Sequence, residues 1–234
     1  MTTTRPATPQ AMFTKIAPRY DLVNTVMTLG GDTRLRREAV RLLRLEADAR
    51  VLDLAAGTAA IATALAAEYR FPLAYVGVDL NEQMLEVAER KLTRLRREHP
   101  RGSWDSMRGS AEDVIFDSSS FDAVTMCFAL DDMDDPAAAL AETVRVLRPG
   151  GRFLLIELAM PDNPVLLAMM KLRLAVTRRI AGLFGLDPVA HMTEEVASDR
   201  GADYTISRCV NAGLTLETEA RYHGGLVRAY VFGK

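Results

Sequence analysis

From residue 51 onward, short apolar runs alternate with longer amphipathic stretches. VLDLA (51–55) is a compact apolar run of the kind that makes a buried strand. Thr58 to Tyr69 follows with Ile61, Leu65 and Tyr69 four residues apart, which predicts a helix. LAYVGVD (73–79) predicts the next strand, and Asn81 is placed to cap a helix over 82–97 whose apolar stripe is Leu85, Ala88, Leu92 and Leu95. A weaker strand falls near 104–108, and FDAVTMCFAL (121–130) is again strand-like. Asp135 before Pro136 reads as a cap followed by proline at the first helical position, so a helix is predicted from Pro136 to Leu147, stopping before Pro149-Gly150-Gly151. GRFLLIEL then returns to strand. Leu214–Ala220 and Gly225–Phe232 are two apolar runs with no helix between them, which predicts a terminal antiparallel hairpin on the sheet edge. Repeated β-α-β units predict an α/β fold, a Rossmann-like, mostly parallel sheet with helices on both faces.

The pattern also sets the organisation. Residues 1–10 read as a disordered tail, and 11–234 as one domain. Within it, 11–45 precede the first strand as a helical lid, and 162–200 form a helical insertion. Both are placed to cover the carboxyl ends of the strands, where ligands bind in open α/β sheets.

Composition narrows the class. With 234 residues and a net charge of −2, the chain has no nucleic-acid footprint. Its two cysteines, Cys127 and Cys209, make no disulfide framework and suit a reducing, cytoplasmic setting. His99, His191 and His223 lack ligand spacing, so no metal site is expected. The start of the chain has no apolar signal region. No apolar run reaches the roughly 18 residues of a membrane span. The nearest, 164–186, is interrupted by Lys171, Arg173, Arg178 and Arg179. That stretch could rest on a membrane surface, cap the pocket or pair with a second copy in a homodimer.

Candidate chemistry gathers at two strand ends. Gly57 forms the turn after the first strand, where the missing Cβ lets a ligand approach the backbone. Asp79 follows it by 22 residues at the end of the second strand, where a carboxylate can accept from both hydroxyls of a ribose. Ala59 stands where a dinucleotide fingerprint wants its second glycine. A nucleoside ligand without a diphosphate, such as S-adenosylmethionine (SAM), needs less of that turn than NAD does. The two residues alone leave open an ordinary βα turn and a carboxylate at a helix start.

Longer motifs go further. MFTKIAPRYDLVN (12–24), VLDLAAGT (51–58), VGVDLNEQML (76–85), GSAEDVIFDSSSFDAVT (109–125), ALAETVRVLRPGGRFLLIELAMP (139–161) and HGGLVRAYVFGK (223–234) together resemble the class I SAM-dependent methyltransferases. Within that class they are similar to the ubiquinone/menaquinone-biosynthesis C-methyltransferases, the UbiE/MenG type. The resemblance implies a seven-stranded sheet and SAM as cofactor. It implies that Gly57 and Thr58 approach the methionine part, that Asp79 takes the ribose, and that Ser110 and Ala111 lie beside the adenine. Cys127 takes the place of a residue near the methionine carboxylate, and Met84 packs on the adenine face or in the core. Asp53, Ala55, Leu80 and Glu112 flank these positions and complete the expected cofactor set. Tyr20, Asp21 and Asn24 would belong to a lid over the acceptor.

The chain also departs from that family. Ala56 and Ala59 replace turn glycines, a strain of roughly 1 kcal/mol wherever φ is positive. Asp131-Asp132 replaces an Arg-Asn pair, Asp32 and Leu35 replace a histidine and a tryptophan, and Val189-Ala190-His191-Met192 replaces a tyrosine-rich stretch. On the acceptor side Asp131 and Asp132 are candidate bases, against the alternative of a plain acidic loop in which Asp134 and Asp135 are structural. Tyr20, His223 and His191 are further candidates for proton transfer, and Glu157 matches a family glutamate. The expectation is methyl transfer from SAM to a small, mostly apolar acceptor, aromatic or polyketide-like. Quinone C-methylation and a SAM-binding protein without transfer are the alternatives.

Overall fold

The computed structural model describes residues 14, 17–21, 25, 30–159, 167–168 and 201–234. Most of the proposed insertion at 162–200, the stretch 164–186 apart from 167–168, the tail 1–10 and His191 lie outside the described residues. Seven strands form one sheet in the order β3-β2-β1-β4-β5-β7-β6. They are β1 (Arg50–Leu54), β2 (Ala74–Asp79), β3 (Ser103–Arg108), β4 (Phe121–Cys127), β5 (Leu147–Leu158), β6 (Thr215–Tyr222) and β7 (Val227–Gly233). β1 to β5 pair in parallel, while β7 runs antiparallel between β5 and β6. The terminal hairpin therefore forms one edge of the sheet, as the two helix-free apolar runs predict.

Among the described residues five helices belong to this frame: α1 (Asp32–Arg41), α2 (Ala60–Glu68), α3 (Glu82–Glu98), α4 (Pro136–Val146) and α5 (Ala202–Asn211). α3 starts where the sequence places it, with the Asn81 side chain accepting from Met84 N–H. α4 starts with Asp135 accepting from Ala137 and Ala138 N–H, and Pro136 stands in its first turn. The inner strands β1, β4, β5 and β7 are buried on both faces over most of their length, and their side chains alternate between two cores. Val51, Leu154, Ile156 and Val231 pack with α1, α2 and α3, whereas Leu52, Leu54, Leu155 and Phe232 pack with α4 and α5. No described helix is long and apolar enough to cross a membrane.

Some boundaries move for physical reasons. α2 begins at Ala60 rather than Thr58, because Ala59 is left-handed at φ 56° and cannot continue a helix backwards. β4 ends at Cys127 rather than at residue 130. Phe128 turns out at φ 56°, and Leu130–Asp132 closes into a short 3-10 turn. β5 starts four residues before Gly151, because its pairing with β4 skips between Phe121 and Ala123 and the strand passes through Pro149-Gly150 as an irregularity.

Candidate active site

The strand order reverses at β1, with β2 and β3 to one side of it and β4 and β5 to the other, and a cleft opens at the carboxyl ends of these strands. Its volume is about 290 Å³, near the lower end of small-molecule sites. Ten residues expected from the sequence line it: Tyr20, Ala55, Gly57, Asp79, Leu80, Met84, Ala111, Glu112, Cys127 and Asp132.

Asp79 organises one end. Its Oδ2 accepts from Gly57 N–H at 2.7 Å and its Oδ1 from Asn81 N–H at 2.8 Å. Each oxygen keeps a further lone pair, so the carboxylate is held as a two-pronged acceptor facing the cleft. Burial raises its pKa, against the lowering effect of the two amides. Beside it Met84 and Ala111 are 3% and 5% exposed, while Leu80 is 44% exposed. That makes an apolar slot with an uncovered leucine at its rim.

The turn after β1 is strained. Ala55, Gly57 and Ala59 have φ of 51°, 54° and 56°. The strain expected at Ala56 falls instead at Ala55, together with Ala59, since the left-handed residues alternate. Nothing lies within 4 Å of a Cβ built on Gly57. That leaves open space for a ligand. Ala59→Gly relieves a left-handed alanine worth about 1–2 kcal/mol and gives back part of this as unfolded-chain entropy. The expected result is a thermal midpoint raised by about 1–4 °C in differential scanning calorimetry.

Other expected residues sit elsewhere. Asp53 is buried beneath the turn, where Tyr75 Oη and Thr125 Oγ1 donate to it at 2.8 and 2.6 Å. Burial raises its carboxyl to about 6, opposed by those two hydrogen bonds. Thr58 is 1% exposed and does not line the cleft. Its hydroxyl donates to Asp21 at 2.6 Å and accepts from Lys91 at 3.0 Å, and Lys91 also pairs with Asp21 at 2.6 Å. These bonds fasten the segment carrying Tyr20 over the turn. Ser110 Oγ accepts from Glu112 N–H and braces the loop rather than lining the cleft. Asp131 points outward into an ion pair with Arg208. His223 lies in the 3-10 turn between β6 and β7 and is not among the lining residues.

Several lining residues escape the sequence reading. Phe128, Met133 and Asp134 join the wall, Asp134 despite its reading as a structural loop residue. Behind the wall, Arg36 is only 4% exposed and donates from Nη1 to Cys127 Sγ at 2.9 Å. The sequence does carry a signal for it: Arg36 shares the i, i+3, i+4 stripe of α1 with Ala39 and Val40, both buried. Asp32 pairs with Arg36 through Nε, and Leu35 is buried in the core. Burial pushes the Cys127 thiol up to about 12, so it stays neutral.

Glu157, at the end of β5, accepts from Leu130 N–H at 3.1 Å. Burial pushes its carboxyl up to about 8; the amides of Leu130 and Ala129 oppose this, and nearby Asp131 and Asp132 reinforce it. The folded pKa then lies above the unfolded one, so the proton is held more tightly in the folded state. Stability is lost as pH rises from about 4.5 through 8. Glu157→Gln mimics the protonated acid. Its stability relative to wild type is expected to be level near pH 4.5 and to gain about 1–3 kcal/mol by pH 9, read from denaturant melts. An advantage that shrinks with rising pH contradicts this.

Comparison with known proteins fits this arrangement. Residues 1–183 match the model of the ubiE/COQ5 methyltransferase family. The ubiquinone/menaquinone biosynthesis C-methyltransferase UbiE of Geobacter sp. (strain M21) is 37% identical over 156 residues, 67% of this chain and 65% of that protein. The chain thus spans about 65% of the length of the curated relatives it matches. Among solved structures, a SAM-dependent methyltransferase from Aquifex aeolicus aligns at TM-score 0.58 and 12% identity, covering 84% of this chain and 88% of that one. The [4+2]-cyclase SpnF aligns at TM-score 0.67 and 15% identity, covering 97% and 96%. Those two likenesses show the shared fold. With the family match over most of its length and the relative's identity, the chain belongs to the ubiE/COQ5 methyltransferase family.

Proposed function

We propose that the protein is a SAM-dependent methyltransferase that methylates a small, mostly apolar acceptor. A ring carbon of a quinone precursor is the acceptor suggested by its relative's name. The observation that carries the reading is Asp79, fixed by Gly57 and Asn81 as a two-pronged acceptor for a ribose. The lining adds a second argument. Among the described residues it holds four carboxylates, Asp79, Glu112, Asp132 and Asp134, and no lysine or arginine. Such a wall repels the diphosphate of NAD and suits a cationic sulfonium. Leu80, Met84 and Ala111 offer an apolar seat for an adenine ring.

Bound SAM would supply an activated methyl group. The chain's own part is to align the acceptor, exclude water and handle one proton. Methylation of a phenolic or enolic ring carbon requires the ring hydroxyl to give up its proton. Asp132 and Tyr20 line the cleft and are the groups in position to take or steady it, while Asp131 is engaged with Arg208. Arg208 thereby fixes the turn that presents Asp132.

The test is product analysis after incubation with methyl-labelled SAM and a panel of reduced naphthoquinone and benzoquinone precursors, with simple phenols beside them. A labelled product heavier by one methylene supports the reading. Retention of the label in SAM across the whole panel, with SAM bound, argues instead for a family member that binds SAM without transfer.

A further inference from the structure

One wall of the cleft is chain that has just left the sheet. The ladder between β4 and β5 ends at Cys127 and Ile156, and Phe128 N–H then donates to the Ile156 carbonyl at 2.8 Å. Phe128 turns left-handed at φ 56°, a conformation a phenylalanine keeps only where its surroundings hold it. The chain closes into the 3-10 turn Leu130–Asp132. Phe128, Ala129, Asp132 and Met133 of this stretch line the cleft. Ala129 and Leu130 are 8% and 1% exposed, so their amides must find partners inside the protein.

Glu157 is that partner. It follows Ile156 on β5, one residue past the last rung, and its side chain takes the amides that the ladder has let go. Its Oε1 accepts from Leu130 N–H at 3.1 Å, and the Ala129 amide also bonds to the carboxyl. Its titratable neighbours are Asp131 and Asp132 on the turn, Cys127 on β4 and Cys209 on α5. The cations on the adjoining elements serve other carboxylates. Arg208 of α5 pairs with Asp131, and Arg228, the register partner of Glu157 on β7, pairs with Glu219 of β6 at 2.9 Å.

We propose that Glu157 is a positioning residue for methyl transfer: its side chain holds the Ala129 and Leu130 amides and so fixes the turn that presents Asp132 to the methyl acceptor. This rests on the reading of Asp132 as a group that handles the acceptor's proton. Arg208 steadies the turn from α5, and Glu157 steadies it from the sheet. The protonated acid is the holding form. Burial favours it most and the two aspartates add to this, up to a pH of about 8. Above that, a third negative charge meets Asp131 and Asp132 and works against the closed turn, in the same sense as the stability lost with rising pH.

The test measures kcat, SAM affinity and amide exchange on the whole chain, with the methyl acceptor found in the panel. Glu157→Met removes the hydrogen-bonding oxygens at similar length. It is expected to lower kcat about 10- to 100-fold while SAM affinity moves less than about threefold. Exchange of the Ala129 and Leu130 amides, read by NMR, should speed up about tenfold or more. Glu157→Gln keeps an oxygen for the amides and should stay within about threefold of wild-type kcat near pH 7. Wild-type kcat should fall about three- to tenfold between pH 8 and 9.5, a loss that Glu157→Gln should lack. In the Asp132→Asn background Glu157→Met should cost little more, because the two residues act as one unit. Additive losses in that double variant overturn the proposal, as does Glu157→Gln falling as far as Glu157→Met near pH 7. A loss of SAM affinity as large as the loss of kcat also overturns it and makes Glu157 a general structural residue. If Glu157→Met does not fold, the pH comparison with Glu157→Gln decides, and an alkaline fall shared by both forms overturns the proposal. Wild-type rate and exchange in Glu157→Met overturn it and leave the methyl-transfer reading intact. SAM binding without transfer to any acceptor removes that reading and this proposal together.

Discussion

Replacing Asp79 with alanine is expected to weaken SAM and S-adenosylhomocysteine about 100- to 1000-fold, about 3–4 kcal/mol, with little change in the melting temperature. The carboxylate is held by Gly57 and Asn81 and has an acceptor site left on each oxygen. Two charge-assisted hydrogen bonds to ribose hydroxyls are worth about that much. The fold depends on it less, because burial raises its pKa and so already works against its charge in the folded chain. Asp79→Asn keeps an acceptor and should fall between the two. Calorimetric titration reads the affinity, and circular dichroism melts check the fold. An alanine variant that binds as wild type does would take the ribose away from this residue.

Asp132→Asn is expected to lower kcat about 100- to 10,000-fold, while SAM affinity moves less than about threefold. Asp132 lines the cleft on the turn after β4. Its neighbour Asp131 faces Arg208 and serves as an internal control: Asp131→Asn should leave kcat within about tenfold of wild type. Steady-state rates on the acceptor found in the panel, with SAM saturating, separate the two. Equal losses at Asp131 and Asp132 would mean that the acidic turn matters for its shape rather than for a proton.

Much of this architecture is legible in the amino-acid sequence. The strands of a parallel sheet buried on both faces read as unbroken apolar runs, and the helices between them read from caps and stripes; Asn81 and Asp135 do cap α3 and α4. Asp79 and Cys127 end strands, so their place at the cleft follows from topology alone. What escapes the sequence is tertiary. Ala55 takes a left-handed conformation because of how β1 leaves the sheet, and its side chain gives no sign of that. Asp131 turns away because Arg208, 77 residues later, waits for it on α5. Thr58 is covered because Asp21 and Lys91 meet over it, from segments far apart in the chain. Arg36 is hidden for another reason: it sits beside Arg34 and Arg37 in a run that reads as surface charge, and only the helical period of α1 turns it inward.

The charge reversal at the mouth has a consequence for the acceptor. With Asp132 and Asp134 in the lining, the proposed methyl transfer is expected to favour a neutral or hydroxylated ring over an anionic acceptor. Glu157 lies near the same turn and is largely protonated at neutral pH, so it adds little to that repulsion until the pH passes about 8.

One titration of the wild-type chain with SAM and NAD, each in turn, tests the cofactor assignment most directly. Saturable one-to-one binding of SAM is expected, with no binding of NAD, whose diphosphate would meet a wall of carboxylates. NAD binding with SAM excluded, or binding of neither, would contradict the assignment and reduce the family membership to a statement of ancestry.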